Sequence, residues 1–160
     1  MRLVAVDGPS GSGKSTVARD LAADLGAPVV PTDHFATWTD PVAWWPRLLH
    51  GVLEPLWRGE EGRYRRVDWS AGLPRPGEWV TVPVVDVLVL EGVSAARRSI
   101  AARLDEAIWV EHPDPAGRLA RAVARDGEAS RAHLERWQSF ERGWFAVDGT
   151  RSRATRTILT

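Results

Sequence analysis

The sequence contains no cysteine, which excludes a disulfide framework and a thiolate metal site. It also lacks any apolar run that approaches the roughly 18–20 residues of a transmembrane helix. Near the N-terminus an acidic residue, Asp7, follows too soon for the apolar region of a secretory signal. These absences predict a cytoplasmic protein with no membrane partner.

An excess of charge of either sign is missing as well, because 21 basic residues are matched by 21 acidic residues. A protein that mainly holds duplex nucleic acid would need a basic excess, so nucleic acid is not expected as a partner. With 44% hydrophobic and 26% charged residues, the composition is that of a folded globular chain and not of a disordered one. The length of 160 residues predicts a single domain over 1–160.

The first 33 residues predict a strand, a loop, a helix and a second strand. Residues 2–6 are a short apolar run typical of a buried strand, and residues 8–13 are rich in glycine. From residue 14 onwards apolar side chains recur with helical spacing up to a stop at Gly26, and residues 27–30 form a second apolar run. Such a βαβ unit implies parallel strands joined by a right-handed crossover.

The rest of the chain continues this alternation around one irregular insertion. The run 82–90 is nearly continuous in valine and leucine, which is typical of a strand buried on both faces. We therefore predict an α/β fold of three layers around a parallel sheet. The further predicted elements are a helix at 41–57, a flap at 59–80, a helix at 94–104, a strand at 107–110, helices at 115–125 and 131–145, and an edge strand at 157–159.

A glycine-rich segment fits the phosphate-loop pattern G-x-x-x-x-G-K-[ST] between a predicted strand and a predicted helix. Its glycines let successive N–H groups point into one concave space, and the helix directs its positive end at the same point. Lys14 is the only lysine of the chain and can reach the β- and γ-phosphates, while the Ser15 hydroxyl can ligate Mg²⁺. The predicted contacts to ATP and Mg²⁺ are Gly8, Ser10, Gly11, Ser12, Gly13, Lys14, Ser15 and Thr16.

The complete absence of asparagine narrows the class of phosphate-loop protein. A guanine-specific GTPase usually needs an Asn-Lys-x-Asp element, which a chain with no asparagine and one lysine cannot contain. A helicase or a transporter ATPase would normally need a longer chain with further motifs. Kinases of small metabolites fit this length.

Four segments together resemble the uridine kinase family of P-loop kinases. They occur in the same order and span most of the chain: Gly8–Thr16, Asp33-His34-Phe35, Leu90-Glu91-Gly92 and the stretch from Arg118 to Asp126. The resemblance implies a P-loop NTPase fold with a small flap and a helical lid at 115–131. It also implies ATP- and Mg²⁺-dependent phosphoryl transfer to a hydroxyl of a small molecule, with a nucleoside such as uridine or cytidine as the first expectation.

Two carboxylates are expected at the reacting centre. Asp33 aligns with the catalytic aspartate of that family, and a carboxylate after the second strand lies where such sheets bind ligands. There it would accept the proton of the attacking hydroxyl and help to place Mg²⁺. Glu91 follows the long apolar run, and its carboxylate is expected to hold Mg²⁺ together with Ser15 and Asp33.

Three arginines share one helical face at spacings of three and four residues: Arg118, Arg121 and Arg125. A guanidinium matches phosphate oxygens and neutralises charge during phosphoryl transfer. The resemblance makes this region a lid over the nucleotide. Arg121 and Arg125 are the favoured contacts, and these two are also predicted to be catalytic.

The acceptor side is less completely matched. The family's flap tyrosine is replaced here by Val67, and the histidine that follows it and reads the base is absent. By position, Trp38 and Trp69 are predicted pocket residues, whereas Trp137 is predicted to pack in the core. The expected acceptor contacts are Asp33, Phe35, Asp40, Tyr64, Asp68 and Trp69.

Two alternatives stay open at this point. One is a kinase of the same architecture that acts on a nucleoside monophosphate, pantothenate or a sugar. The other is a nucleotide-binding regulatory protein without transfer activity. The preference for ATP over GTP and the formation of a homo-oligomer are not decided by the sequence.

Overall fold

Strands and helices alternate along residues 1–160, all of which the computed structural model describes. Short 3₁₀ segments cover Thr32–His34, Arg98–Arg103 and Glu128–Ser130, and a π-helical segment covers Leu49–Leu53. The helices and strands in chain order are β1 (Arg2–Asp7), α1 (Lys14–Leu25), β2 (Val29–Pro31), α2 (Trp45–Leu48), α3 (Glu54–Trp57), β3 (Gly62–Asp68), β4 (Arg75–Val82), β5 (Val87–Glu91), β6 (Glu106–Glu111), α4 (Pro115–Asp126), α5 (Arg131–Asp148), α6 (Thr150–Arg153) and β7 (Arg156–Leu159).

Five of the strands form one sheet in the order β2-β5-β1-β6-β7, and every neighbouring pair is parallel. Side chains alternate between its faces along β1, because successive residues of a strand point to opposite sides. Leu3 and Ala5 join one hydrophobic cluster, while Val4 and Val6 join another that includes α1. A core on each face requires a covering layer on each face, so the predicted three-layer α/β fold is confirmed. None of the helices is long and apolar enough to cross a bilayer.

Two predicted elements differ from the structure. The apolar run 82–90 is divided, because Val82 ends β4 and β5 begins only at Val87. The connector between them contains Pro83 and the exposed Val84, and apolar composition alone does not reveal such a break. The helix predicted at 94–104 is reduced to the 3₁₀ segment Arg98–Arg103.

The predicted flap at 59–80 is an antiparallel hairpin of β3 and β4, with an irregularity in register between Arg65 and Val67. The hairpin packs against the π-helical segment that joins α2 and α3. A Cβ on Gly51 in that segment would lie 2.9 Å from the Arg63 carbonyl oxygen, so the two backbones approach too closely for any larger residue. This contact fixes the position of the hairpin beside the carboxyl edge of the sheet.

Asp7, at the end of β1, joins the phosphate loop to the segment that follows β5. Its carboxylate is fully buried and accepts hydrogen bonds from the backbone N–H groups of Gly8, Ser94 and Ala96 at 2.7–3.2 Å. Burial raises the pKa of Asp7 to about 7, and the three N–H donors act against this rise. Ser94 has a left-handed backbone with φ 72°, which interrupts the helix expected there.

We expect Asp7→Ala to lower the free energy of unfolding by about 3 kcal/mol or more, because three buried N–H groups lose their acceptor. For a chain of this size the melting temperature should fall by roughly 6–12 °C. Asp20→Ala is the matched control, since Asp20 is exposed on α1 and pairs only with its neighbour Arg19. Thermal unfolding of the three proteins gives the comparison, and equal melting temperatures would contradict the structural role of Asp7.

Candidate active site

The phosphate loop connects β1 to α1 and is packed tightly against the elements behind it. Gly11 has φ 75°, and a Cβ at this position would lie 2.2 Å from the carbonyl oxygen of Arg118. Only glycine combines that backbone conformation with so close an approach. The loop therefore curls around a space that it leaves open towards solvent.

Several backbone N–H donors lie around this open space. The N–H groups of Gly11 and Gly13 have no acceptor within the chain, and those of Lys14 and Ser15 open α1, where no intrahelical partner exists. No side chain caps this helix. Lys14 is buried and its Nζ donates to the Pro9 carbonyl oxygen at 3.1 Å. Free N–H groups, a helix N-terminus and an ammonium group converge, which is the arrangement that binds phosphate.

Glu91 ends β5 beside this loop, and its Oε1 accepts a hydrogen bond from the Ser15 hydroxyl at 3.3 Å. Burial raises the pKa of Glu91, and the nearby charge of Lys14 opposes that rise. The next residue, Gly92, has φ 131°, and a Cβ there would lie 1.9 Å from the Thr32 hydroxyl oxygen. The chain can therefore turn directly after Glu91 without moving its carboxylate away from the loop.

The oxygen donors at this point fit Mg²⁺, which is usually held by one or two carboxylates and by substrate phosphates. Ser15 and Glu91 are already in contact, and the charge of Asp33 acts on Glu91. These three residues would hold the ion, as the sequence predicts.

Asp33 lies in the 3₁₀ segment that follows β2, with its side chain exposed. Its backbone carbonyl oxygen accepts a hydrogen bond from the Trp69 indole N–H at 3.0 Å. Because β2 is parallel to β5 and lies next to it, Asp33 after β2 and Glu91 at the end of β5 lie at the same edge of the sheet. The residue is thus held by its backbone, and its carboxylate is free to contact a ligand.

The lid arginines occupy different positions along α4. Arg121 and Arg125 border the cavity over the phosphate loop. Hydrogen bonds from Arg125 to Asp126 at 2.6 Å raise the pKa of its guanidinium. Arg118 is instead buried and donates to the His112 carbonyl oxygen at 2.7 Å. The expectation of phosphate contact therefore applies to two of the three arginines.

Two adjoining cavities meet at this edge of the sheet. The first has a volume of about 360 Å³ and lies over the phosphate loop. The second has a volume of about 480 Å³ and lies between the hairpin and α5. Ser10, Asp33 and Arg125 border both of them. A ligand in one cavity and a ligand in the other would therefore face each other across these three residues.

The second cavity has aromatic walls. Trp38 lies edge-on to Trp69, with ring centroids 4.8 Å apart, and edge-on to Trp137 at 6.0 Å. The His133 ring stacks on Trp38 at 4.9 Å and supports it from α5. Leu134, Asp126 and Ser130 complete much of the remaining wall. Such a cavity offers large apolar and π surfaces next to the carboxylate of Asp33.

Several residues expected at the acceptor do not border this cavity. Phe35 is fully buried and its ring stacks on Tyr64 at 4.6 Å, so it belongs to the core. Tyr64 is also buried, and its hydroxyl is paired with the His34 ring at 2.8 Å. Asp40 accepts from the Ala43 N–H, and Asp68 accepts from the N–H and hydroxyl of Ser70. Hydrogen bonding within a turn thus occupies both aspartates, and an acceptor contact at any of these four residues stays a prediction.

Within the phosphate loop, two of the eight predicted residues also lie outside the cavity wall. Gly8 starts the loop at the end of β1, and the Ser12 side chain is fully buried. The Ser12 carbonyl oxygen accepts a hydrogen bond from the Thr160 hydroxyl at 2.8 Å. Both residues shape the loop from behind and do not face the cavity.

Sequence reasoning missed part of the site. Trp137 packs against the core, as expected, but it also borders the aromatic cavity, and Glu141 on the same helix contacts Ser10. The signal for Glu141 was present in the helical spacing, because Leu134, Gln138 and Glu141 all lie on the buried face of α5. A charged residue on such a face is rarely accidental.

Comparisons with known proteins support this fold. Residues 4–38, which are 35 of the 160 residues and include the phosphate loop and Asp33, match the cytidylate kinase family. No curated protein has a significant match to the chain as a sequence.

Solved structures resemble the chain over almost its whole length. A protein from Bacillus stearothermophilus, provisionally identified as a uridine kinase, has a TM-score of 0.67 at 17% identity, covering 98% of this chain and 88% of its own. A protein from Silicibacter sp. TM1040, provisionally identified as a fructose transport system kinase, has 0.65 at 25%, covering 98% and 89%. D-glycerate 3-kinase from Cryptococcus neoformans has 0.60 at 14%, covering 88% and 78%. The chain therefore has the fold of these P-loop kinases, and it carries the phosphate-loop motif between β1 and α1.

Proposed function

We propose that this protein catalyses ATP- and Mg²⁺-dependent phosphoryl transfer to a hydroxyl group of a small metabolite, with a pyrimidine nucleoside as the first candidate acceptor. The observation that carries the proposal is the junction of two cavities at Asp33 and Arg125. One cavity has the donors for a polyphosphate, and the other has room and apolar surface for an acceptor. A carboxylate and a guanidinium at the junction are the groups that in-line transfer requires.

Each residue has a definite task in this reaction. The acceptor hydroxyl loses its proton to Asp33 and attacks the γ-phosphorus, and ADP leaves with the electrons of the broken P–O bond. Lys14, Arg121 and Arg125 neutralise the charge on the phosphoryl oxygens as the group moves. When bound at Ser15, Asp33 and Glu91, Mg²⁺ supplies charge neutralisation at the phosphates.

The aromatic cavity supports an acceptor with a planar or apolar face. Three indole rings favour stacking, as a nucleoside base would provide, and the provisional uridine kinase from Bacillus stearothermophilus has a similar fold. No amide or imidazole side chain borders the cavity. Stacking on the indole rings would therefore supply much of the contact, and hydrogen bonds to a base would come from groups such as Asp126 and Ser130.

The lack of amide and imidazole side chains in this cavity favours a second candidate. This candidate is a kinase of another hydroxylated metabolite, such as a sugar, pantothenate or a nucleoside monophosphate. A regulatory nucleotide-binding protein has less support. Such a protein has no need of an exposed carboxylate at the junction of two cavities, which is where Asp33 lies.

The test is ADP release from Mg·ATP in the presence of a panel of nucleosides, nucleoside monophosphates, sugars and pantothenate. The Lys14→Ala variant serves as the blank for contaminating ATPase. Turnover that depends on uridine or cytidine supports the nucleoside proposal, and turnover with another compound replaces the acceptor. Nucleotide binding without turnover on any acceptor would favour the regulatory alternative.

A prediction for the acceptor cavity concerns Trp69. We expect Trp69→Ala to raise the KM of the acceptor about tenfold, because an aromatic contact of roughly 1.4 kcal/mol is lost, while the KM of ATP stays near that of the wild type. Trp69→Phe keeps a stacking ring but loses the hydrogen bond to Asp33, and so separates the two contributions. Trp79→Ala is the control, because Trp79 is exposed on the same hairpin outside this cavity. A rise in the KM of ATP alone would argue against an acceptor role for this cavity.

A further inference from the structure

Glu141 on α5 is a carboxylate that neither the predicted motifs nor the proposed chemistry uses. Its side chain is fully buried, with 0% of its surface exposed. Both of its oxygens accept from the Ser10 N–H at 3.0 Å, and Oε2 also accepts from the Ser10 hydroxyl at 2.8 Å. It thus binds the third residue of the phosphate loop through two donor groups.

These hydrogen bonds are the only partners of the carboxylate. No lysine, arginine or histidine lies within ion-pair distance of it, although the charges of Lys14 and Arg118 act on it from farther away. Burial raises the pKa of Glu141, and both hydrogen bonds to Ser10 oppose that rise. Because burying a carboxyl group is costly, its position depends on Ser10, and the position of Ser10 depends equally on it.

The contact lies behind the loop. Ser10 borders both cavities, whereas Glu141 borders neither. The carboxylate therefore does not occupy the place of a phosphate and does not compete with one. It holds the Ser10 N–H back from the cavity, while the N–H groups of Gly11, Gly13, Lys14 and Ser15 keep no acceptor within the chain.

A second contact between the lid helices and the loop lies one residue further along the chain. The Gly11 Cα packs against the Arg118 backbone of α4, where a Cβ would be 2.2 Å from the carbonyl oxygen. α4 and α5 pack on each other through Ala122, Val123 and Leu134. The lid pair consequently touches the loop twice, at Ser10 from α5 and at Gly11 from α4. These two contacts set the distance from Arg121 and Arg125 to the phosphate loop.

We propose that Glu141 is a positioning residue for phosphoryl transfer, which fixes Ser10 and thereby holds the phosphate loop and the lid arginines in register. The inference rests on nucleotide binding by the loop, as in the proposed function, but not on the identity of the acceptor. Its effect depends on where the carboxylate oxygens lie and not on their charge.

Two substitutions separate position from charge. Glu141→Gln removes the charge but keeps an oxygen that can accept a hydrogen bond from the Ser10 N–H. Glu141→Asp keeps the charge, but its side chain is one methylene shorter, so the carboxylate lies farther from Ser10. We expect the glutamine variant to bind Mg·ATP, or a non-hydrolysable ATP analogue, within about threefold of the wild type. We expect the aspartate and alanine variants to bind it about tenfold more weakly. Glu135→Ala, at an exposed position on the same helix, is the control and should bind as the wild type does.

A coupling measurement identifies Ser10 as the partner. Ser10→Ala removes the hydroxyl contact and should weaken nucleotide binding in the wild-type background. It should have no further effect once Glu141→Ala is present, because the effects of two substitutions on binding free energy do not add when the two residues act through one contact. Isothermal titration calorimetry with the analogue supplies these values, and thermal unfolding shows that each variant is folded. Where an acceptor is found, kcat should also fall in the alanine variant.

The results that overturn the proposal are equally definite. Wild-type binding by both Glu141→Asp and Glu141→Ala would do so, as would a larger loss for Glu141→Gln than for Glu141→Asp. Additive effects of Ser10→Ala and Glu141→Ala would also overturn it. If Glu141→Ala does not fold, two measurements still test the proposal. One compares nucleotide binding by Glu141→Gln and Glu141→Asp, and the other combines Ser10→Ala with Glu141→Asp. Failure of every acceptor in the panel would contradict the proposed function without changing these binding results.

Discussion

Replacing Lys14 with alanine is expected to lower acceptor-dependent turnover about a hundredfold or more. Removal of one preorganised group that stabilises charge in the transition state typically lowers kcat by about 10²–10³-fold. The protein should stay folded, because the only hydrogen bond of the Lys14 side chain is the one to the Pro9 carbonyl oxygen at its Nζ. No other lysine exists in the chain to replace it. Initial rates of ADP release at saturating acceptor measure this effect.

The control for this variant is Arg19→Ala. Arg19 lies on the same helix, is exposed and pairs with Asp20 at the surface, so its removal should leave turnover within about twofold. Circular dichroism and melting temperature establish that both variants are folded. Turnover of Lys14→Ala at the rate of the wild type would remove the phosphate loop from the mechanism.

Replacing Asp33 with asparagine should separate binding from chemistry. The asparagine side chain has nearly the same shape but cannot accept the proton of the attacking hydroxyl, so kcat should fall by about 10²–10⁴-fold. The affinity for the ATP analogue without Mg²⁺ should change little, because the donors for the phosphates belong to the loop and to α1. The backbone contact from Trp69 to Asp33 does not involve the side chain and persists in the variant.

Asp68→Asn is the informative comparison for this result. The family resemblance gives Asp68 an acceptor role, whereas in the structure it bonds to Ser70 outside both cavities. We expect its kinetic constants to stay within about twofold of the wild type. Equal kcat values for Asp33→Asn and the wild type would exclude Asp33 as the proton acceptor and would favour the regulatory alternative.

The geometry of the phosphate loop was predictable because its signals are local. The loop from Gly8 to Ser15 is contiguous, and its curvature follows from glycines that are close together in the chain. The position of Asp33 and Glu91 at the sheet edge was predictable for a related reason, since Asp33 lies just after β2 and Glu91 ends β5. In a parallel sheet the ends of neighbouring strands necessarily meet at one edge.

The aromatic cavity could be predicted only in part, because the sequence indicates Trp38 and Trp69 as pocket residues but not Trp137. Trp38, Trp69 and Trp137 are separated by 31 and 68 residues, and only the packing of the hairpin and α5 brings their rings together. The resemblance gives Phe35 and Tyr64 an acceptor role, but their aromatic rings stack on each other in the core and do not border this cavity. An aromatic residue can pack in the core or line a cavity, and the residues next to it in the sequence do not show which of the two it does.

The sequence by itself therefore determined the fold class, the phosphate loop and the two carboxylates at the sheet edge, because each depends on short-range periodicity or on residues adjacent in the chain. The tertiary structure decided which arginines border the cavity over the phosphate loop, that Trp137 joins Trp38 and Trp69 in the aromatic cavity, and that Glu141 supports Ser10. These features depend on the distance between α4, α5, the hairpin and the sheet. That distance is set by packing between segments far apart in the chain, which no local pattern encodes.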